Sequence, residues 1–237
     1  MTAPTKSASG NGRRTAKSKE PVPRLRPAER RAQILERATD YFAEHGLSAQ
    51  TRALADACGV AQRLLYRYFP SKAALMSAVY DEAILSPFKA VWLAQLRDRS
   101  LPMRERLTAF YNDYFSVVLT RKWLRLFMHA SLSEVGMAPN YINAIIKQML
   151  VVIVEETAAE QKVKLPRNPD NLHEIGWILH GAVSHFAIRR HLYNASQTTH
   201  EQEVTALHIS SFLAGFSAAC ATARALDAVE EFSAGTS

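Results

Sequence analysis

The stretch TRALADACGVAQRLLYRYFPSK, residues 51–72, decides the fold. Thr51 is a good N-cap for a short helix, and apolar residues recur behind it at helical spacing. Gly59 stands where a helix usually ends, because glycine takes the left-handed conformation at little cost. A second short helix can then begin near Gln62. Two helices joined by so tight a turn cross steeply, so the second can lie in the major groove of DNA.

Long helical patterns continue on both sides of this unit, and alternating strand patterns are almost absent. Pro27 opens a first helix that Gly46 ends, and Ser71 caps a fourth helix that Ser86-Pro87 can stop or kink. We expect five further helices near 102–120, 122–134, 138–162, 169–193 and 200–229. The predicted fold class is therefore all-α, with about nine helices in all. A three-helix helix-turn-helix head precedes a larger helical body.

Composition divides the chain into three parts. Residues 1–26 are rich in polar and basic residues and carry a net charge of +6, out of +7 for the whole chain. They predict a disordered basic tail, which either reaches DNA or is a solubilising leader or an incorrectly assigned start. Residues 27–87 form the predicted DNA-binding domain, and residues 88–237 form the body.

Several classes of function are disfavoured. The two cysteines, Cys58 and Cys220, lie far apart inside helical patterns, which indicates buried thiols in a reducing cytosol. No apolar run reaches the roughly 18 residues of a membrane span, and the N-terminus has no signal-peptide core. The eight histidines lack metal-ligand spacing, and no nucleotide-binding loop or catalytic constellation is present. We therefore expect a cytoplasmic protein that is not an enzyme, with no metal, no cofactor and no membrane partner.

The two-helix unit carries a local charge of +3 across residues 49–72, as phosphate binding requires. Gln62 stands at the helix start, where side chains reach bases, and glutamine suits adenine. Arg52 suits guanine or a phosphate, and Lys72 suits a phosphate. Tyr66 lies about 100° round the helix from Leu65, which leaves its hydroxyl free for a phosphate. The predicted DNA-binding residues are Thr51, Arg52, Gln62, Arg63, Leu64, Tyr66, Arg67, Tyr68 and Lys72.

These residues resemble the TetR family of bacterial transcriptional regulators, over about 60 residues from Pro27 to Pro87. The shared positions are Ile34-Leu35, Ala38, Phe42, Gly46, Thr51, Leu54-Ala55, Gly59-Val60, Leu65-Tyr66, Phe69, Ser71-Lys72 and Leu75. The resemblance implies a dimer, a ligand-binding body and repression of nearby genes.

The chain departs from the family pattern inside the second helix of the unit. Ala61 replaces a common serine, so an ordinary helix cap is lost. Arg63 replaces a small residue and adds a cation for a phosphate or a guanine edge. Leu64 replaces a threonine, and it either touches a thymine methyl group or simply packs. The operator sequence therefore cannot be borrowed from relatives.

Two long segments of the body, 169–193 and 204–226, are apolar over more than one stripe, so each must bury two faces. A two-fold, four-helix interface with a second copy satisfies this, and a monomer with a deeply central helix pair is the alternative. The predicted dimer residues are Gly181, Ser184, Phe212, Gly215, Phe216 and Ala219.

Aromatic residues are frequent in the body, and they either form ordinary core or line an apolar ligand site. We interpret them as a pocket for a small, mostly neutral and hydrophobic effector. The predicted lining is Phe110, Tyr114, Trp123, Phe127, His129, Tyr141, Met149, Trp177 and His180.

The favoured function is a homodimeric, ligand-responsive regulator that binds an inverted-repeat operator in double-stranded DNA, with repression favoured over activation. We expect it in the bacterial cytoplasm, and on the nucleoid when bound. The first alternative is a ligand-independent architectural DNA binder that uses its basic tail. The second is a helical enzyme or transport-accessory protein whose head-like segment is only packing.

Overall fold

The structure is a computed structural model, and it describes residues 25–132, 141–193 and 199–234. Those residues are predominantly helical and contain no strand. The helices are α1 (Pro27–His45), α2 (Thr51–Ala57), α3 (Gln62–Tyr68), α4 (Lys72–Tyr80), α5 (Ala90–Leu96), α6 (Met103–Val117), α7 (Arg121–Ser131), α8 (Lys147–Gln161), α9 (Pro169–His191) and α10 (Glu201–Ala234). The all-α prediction of a helix-turn-helix head and a helical body is confirmed.

Several helices end near the glycine and proline residues that were predicted to end them. A π-helical turn, Asp81–Leu85, extends α4, and the chain breaks at Ser86-Pro87 before α5 begins. A second π-helical turn, Ile142–Ile146, leads into α8. The predicted basic tail up to residue 24, the predicted helix start at 138 and most of the predicted polar loop lie outside the described residues.

The head is built on one apolar core. Ile34, Ala38 and Phe42 follow one stripe of α1 and are fully buried. They are joined in this core by Leu54 of α2, Leu65 of α3 and the buried side of α4. Because α2 and α3 are too short to be stable alone, this shared burial is what fixes them against α1.

In the body, α8 and α9 approach closely at Gly176. A Cβ atom added there would lie 2.7 Å from the Cβ of Leu150, so only glycine fits. A buried ion-pair network ties α6 to α8: Arg106 contacts Glu156 at 3.1 Å and Glu160 at 3.2 Å. Arg99 adds a second contact to Glu156, at 2.8 Å. These contacts fix the helices that surround the body's interior.

The expectation about membrane-length segments was wrong for α10. Within the described residues, Glu201–Val229 is long and apolar enough to cross a membrane, with a mean hydropathy of 1.5 over its 18-residue window. Small residues such as alanine raise that mean although Ser, Thr and His interrupt the run. Only 28% of the window is buried in the single chain. A single helix of this length and hydropathy is weak evidence for a membrane span, because helices of water-soluble proteins can have the same properties.

Candidate nucleic-acid interface

The turn between α2 and α3 depends on Gly59. Its φ of 67° is left-handed, as the sequence predicted, and its N–H donates to the carbonyl of Asp56 at 3.0 Å. The Val60 N–H then donates to the carbonyl of Ala55 at 3.1 Å, which closes the corner. The guanidinium of Arg37 lies over the turn and donates to the Cys58 carbonyl at 3.2 Å. A Cβ on Gly59 would come within 2.5 Å of that guanidinium, the mobile end of a long side chain, so the left-handed φ is what requires glycine here.

Helix α3 presents one side to solvent, as its spacing predicted. Leu65 and Phe69 are 2% and 3% exposed and face the head core. Because they lie one turn apart, the opposite side of α3 points outward. The exposed residues on that side are Gln62, Arg63, Tyr66 and Arg67, and Arg52 of α2 is also exposed. Leu64 and Tyr68 are half-buried at the border of this face.

Three predicted contacts converge where α2, α3 and α4 meet. Thr51, Tyr66 and Lys72 line one crevice together with Ser71. Ser71 caps α4 as expected, since its hydroxyl accepts the Ala74 N–H at 3.1 Å. The rest of this narrow crevice is lined by Leu54, Leu65, Phe69 and Leu75, so it lies where the edge of the α3 face meets the head core.

Two details of this corner correct the sequence analysis. Thr51 is the first residue of α2, and the N-cap is Gln50, which makes no side-chain capping bond. The Tyr66 hydroxyl is not free, because it donates to the Thr51 hydroxyl at 3.3 Å. Both differences have one cause: Thr51 lies opposite Tyr66, so its hydroxyl is used between helices instead of within α2.

The cations of this surface have no carboxylate partners. Arg52, Arg63, Arg67 and Lys72 form no ion pair within the part of the chain that the structure describes. Ala61, the N-cap of α3, also provides no side-chain bond, as its departure from the family pattern predicted. We call the outward side of α3 with Arg52 and Lys72 the recognition face. Its positive charge is left uncompensated by the described part of the protein.

The body contains a cavity of about 100 Å³ between α6, α7, the turn before α8, and α9. Six of the nine predicted pocket residues line it: Tyr114, Trp123, Phe127, Tyr141, Trp177 and His180. The other lining residues are Leu119, Leu124, Met128, Ile142, Ile146, Ile188 and Ser184, of which Ser184 had been assigned to the dimer interface. Their aliphatic or small side chains gave no signal beyond helical periodicity.

The remaining three predicted pocket residues lie elsewhere. Phe110 and Met149 are fully buried in the core but do not line the cavity. His129 faces the head, where its Nδ1 would lie 3.2 Å from a Cβ on Gly46. These three positions are corrections, because helical spacing alone could not separate core from cavity wall or from the head–body junction.

Burial governs the protonation of the cavity. Desolvation lowers the pKa of His180 to about 4, so its imidazole is neutral at pH 7. Desolvation also raises the pKa of Tyr141 to about 12 and the pKa of Tyr114 well above its usual value. The two tyrosine hydroxyls lie 3.2 Å apart, and the Tyr111 hydroxyl lies 3.5 Å from His180 Nδ1. The described wall of the cavity therefore carries no net charge.

The predicted dimer residues divide into two groups. Phe212 and Phe216 are 3% and 0% exposed, so they pack within the protomer, and this corrects their placement on an interface. A Cβ added at Gly181 or at Gly215 would meet nothing within 4 Å, so both lie on open helix surface. Ser184 lines the cavity, and Ala219 is half-buried on α10.

Comparison with known proteins agrees with this architecture. Residues 34–79 match the family model of bacterial regulatory proteins of the tetR family. A TetR-like transcriptional regulator from Rhodococcus sp. RHA1 is 20% identical, with a TM-score of 0.62 over 81% of this chain and 97% of that chain. A tetR-family regulator from Streptomyces coelicolor is 20% identical, with a TM-score of 0.54 over 89% and 87%. The ketosteroid transcriptional regulator KstR2 of Mycobacterium tuberculosis is 19% identical, with a TM-score of 0.56 over 78% and 94%.

Fold and site together define a helix-turn-helix head carried on an all-helical body. The head matches the tetR-family model over residues 34–79, and the chain shares the fold of the solved tetR-family regulators.

Proposed function

We propose that the protein is a homodimeric transcriptional regulator that binds an inverted-repeat operator and acts as a repressor relieved by a small apolar effector. The observation that carries this is the recognition face: an outward, amphipathic α3 whose neighbouring cations have no partners in the described part of the protein. Unpaired cations on an exposed helix release counterions when they meet phosphates, which drives DNA binding.

The recognition face divides by position. Gln62, Arg63 and Arg67 project from α3, where side chains reach base edges or the flanking phosphates. Thr51, Tyr66 and Lys72 are neighbours at the edge of the face, so we assign them to one phosphate on the surface of the head. Their hydroxyl pair is already oriented at 3.3 Å, which reduces the ordering that phosphate binding requires.

The open surface of α9 and α10 supports the homodimer. Ile178, Leu207, Leu226 and Val229 are between 52% and 63% exposed, which is unusual for so many large apolar side chains on two adjacent helices. Gly181 and Gly215 add flat positions where a second backbone can approach. A second copy would cover these surfaces as a four-helix interface, and two heads on one axis would read two half-sites.

Helix α7 supports a link between effector and DNA, because it contacts both sites. Trp123 and Phe127 line the cavity on one side of α7. On its other side, Arg125 donates to the carbonyls of Ala43 and Glu44, at the end of α1, at 2.7 and 2.8 Å. An effector that prefers one position of α7 would therefore bias the position of the head, by its difference in affinity between the two states.

Ion pairs reinforce the junction between α7 and α1. Lys122 contacts Asp40 at 2.6 Å, and Arg121 also contacts Glu44. His129 completes the junction beside Gly46. A displacement of α7 would therefore carry α1, and the head core built on it, as one unit.

The test is DNA binding by fluorescence anisotropy, with a duplex selected from a random library and a scrambled duplex of equal length. We expect tight, salt-dependent binding to the selected duplex, and a loss of about tenfold for Arg63→Ala. Arg97→Ala is the matched control, since Arg97 is an exposed arginine on the body. The proposal fails if the protein binds neither duplex, or if Arg97→Ala weakens binding as much as Arg63→Ala.

The same assay separates the architectural alternative. A chain lacking residues 1–26 should keep its preference for the selected duplex if the recognition face carries the specificity. A collapse of affinity for both duplexes on this truncation would favour the tail-dependent architectural binder. Sedimentation of the full chain tests the dimer independently, and a monomer at micromolar concentration would refute it.

A further inference from the structure

The cavity in the body excludes charged ligands. Its described wall contains no Lys, Arg, Asp or Glu. The one titratable base in that described wall, His180, is held neutral by burial, which lowers its pKa to about 4. A carboxylate or ammonium group entering the cavity would lose its hydration without gaining a counter-charge. The described wall of this site therefore suits an uncharged ligand.

The size of the cavity limits the ligand to about one ring. The cavity measures about 100 Å³, whereas sites for drug-sized ligands span roughly 300–1,000 Å³. An apolar cavity of about 150 Å³ holds benzene, so this smaller cavity takes a single substituted ring only if its wall moves outward. The wall is largely aromatic, with the Trp123 and Phe127 rings stacked at 4.8 Å and Tyr141 edge-on to Trp123 at 5.4 Å. Flat aromatic walls pack best against another flat ring.

Trp123 supplies a hydrogen-bond donor that the protein does not use. Its indole Nε1 is buried and has no acceptor within the described structure. A buried N–H without an acceptor is costly, and most native donors avoid that state. By contrast, the indole of Trp92, also buried, donates to Asp113 at 2.7 Å. The unused donor therefore distinguishes Trp123, whose side chain lines the cavity, from the other buried tryptophan.

The tyrosine pair supplies a second unused donor. Tyr114 and Tyr141 each carry one hydroxyl hydrogen, and the bond between their oxygens uses only one of the two. Both side chains are buried, so water does not freely satisfy the other hydrogen. The cavity wall thus has one unused donor hydrogen at each of two neighbouring places, and a ligand that accepts a hydrogen bond can satisfy them.

Trp123 also marks the way in. A groove of about 970 Å³ runs along α1 on the outside of the junction with α7, and Trp123 lines both this groove and the inner cavity. It is the one residue shared by the two linings in the part of the chain described here. The Trp123 side chain therefore lies between the groove and the cavity.

We propose that the cavity binds one uncharged aromatic ring bearing a hydrogen-bond acceptor such as a carbonyl oxygen, which Trp123 Nε1 and the Tyr114–Tyr141 pair recognise. This inference rests on the effector site of the proposed function and names the chemical class of its ligand. The acceptor satisfies the unused donors, and the ring packs against the aromatic wall. Entry past Trp123 brings the ligand in beside α7.

The test is isothermal titration calorimetry on the full chain without DNA. Acetophenone and α-methylstyrene have the same shape, but only the first carries a carbonyl oxygen. We expect acetophenone to bind about tenfold tighter, the scale of one to two buried hydrogen bonds, and benzoate not to bind. Trp123→Phe keeps an aromatic ring and removes the donor, so it should reduce the acetophenone preference to below about threefold. Trp92→Phe, the matched control, should leave the preference unchanged.

Four outcomes would overturn the inference: no binding of either ring, equal affinity for both rings, benzoate binding as tightly as acetophenone, or an unchanged preference in Trp123→Phe. The double variant Tyr114→Phe/Tyr141→Phe removes both hydroxyl hydrogens at the second place and gives an independent measure if Trp123→Phe does not fold. Because these titrations contain no DNA, failure here leaves DNA binding by the recognition face intact. Failure of DNA binding likewise leaves the ligand preference measurable.

Discussion

The head and the body treat their cations in opposite ways. On the recognition face, Arg63 and Arg67 project into solvent with no carboxylate within reach in the described structure. In the body, the Arg106 side chain is 2% exposed and contacts both Glu156 and Glu160. Exposed unpaired cations cost little and remain available to a polyanion, whereas a buried cation must be paired to be tolerated at all. Ion pairing therefore separates the residues that hold this fold from those free to bind another molecule.

The sharpest test of this contrast is the loss of a paired cation. Arg106→Ala leaves Glu160 with the Met103 N–H but no cation, and it leaves Glu156 with only Arg99. Removing one member of a buried ion pair typically costs about 3–5 kcal/mol in the free energy of unfolding. Urea denaturation should show this loss. Arg63→Ala, the matched change on the recognition face, should shift the same free energy by less than about 0.5 kcal/mol. An equal loss of unfolding free energy in Arg106→Ala and Arg63→Ala would contradict the difference between paired and unpaired cations.

The second effect concerns a base that is buried without a charge. The folded-state pKa of His180 is about 4, below its ordinary value of 6.5. Between pH 6.5 and 4, His180 is protonated in the unfolded chain but not in the folded chain. The free energy of unfolding therefore falls as the pH drops through this range. The two values imply a loss of about 3 kcal/mol by pH 4, and almost none above about pH 6.5. In His180→Phe, the free energy of unfolding should therefore fall less steeply as the pH drops from 6.5 to 4. An unchanged dependence on pH would contradict the lowered pKa of His180.

The third effect is smaller and tests the turn beneath the recognition face. Gly59→Ala places a side chain at φ 67° and within 2.5 Å of the Arg37 guanidinium. The left-handed conformation alone costs about 1–2 kcal/mol for a residue with a Cβ. We expect a lower melting temperature and weaker binding to every duplex. In Arg37→Ala/Gly59→Ala the steric part should be relieved, and a double variant no better than the sum of the singles would argue against the contact.

The smallest effects should divide the recognition face itself. Gln62→Ala or Arg52→Ala should change which duplex is preferred, because these side chains are assigned to base edges. Lys72→Ala should weaken binding to all duplexes alike and reduce the salt dependence by about one counterion. Gel shifts on selected and random duplexes at several salt concentrations measure both. Equal losses on both duplexes for every variant would refute the division.

The head was predictable from sequence because its signals are local. The spacing of Leu65 and Phe69 indicated the outward side of α3, and Gly59 indicated the turn. The hydroxyl contact between Thr51 and Tyr66 was not predictable, since it joins residues of two helices whose crossing angle the sequence does not specify. Local periodicity thus describes each helix but not the pairings between them.

The body shows the limit of the same reasoning. Helix α10 is apolar on two stripes, and periodicity cannot say which stripe faces its own protomer. Phe212 and Phe216 were consequently assigned to an interface, yet they form core. His129 was assigned to the pocket with its aromatic neighbours on α7, although it lies on the side of α7 that meets Gly46. Long-range packing decides both cases, and it leaves no trace in the spacing of residues.

The position of Arg37 has a consequence for redesign. Its guanidinium covers the corner between α2 and α3 and holds the Cys58 carbonyl from α1. The geometry of α2 and α3 therefore depends on a side chain of α1. Transferring residues 51–69 to a relative should therefore transfer the choice of operator only when Arg37 is transferred as well.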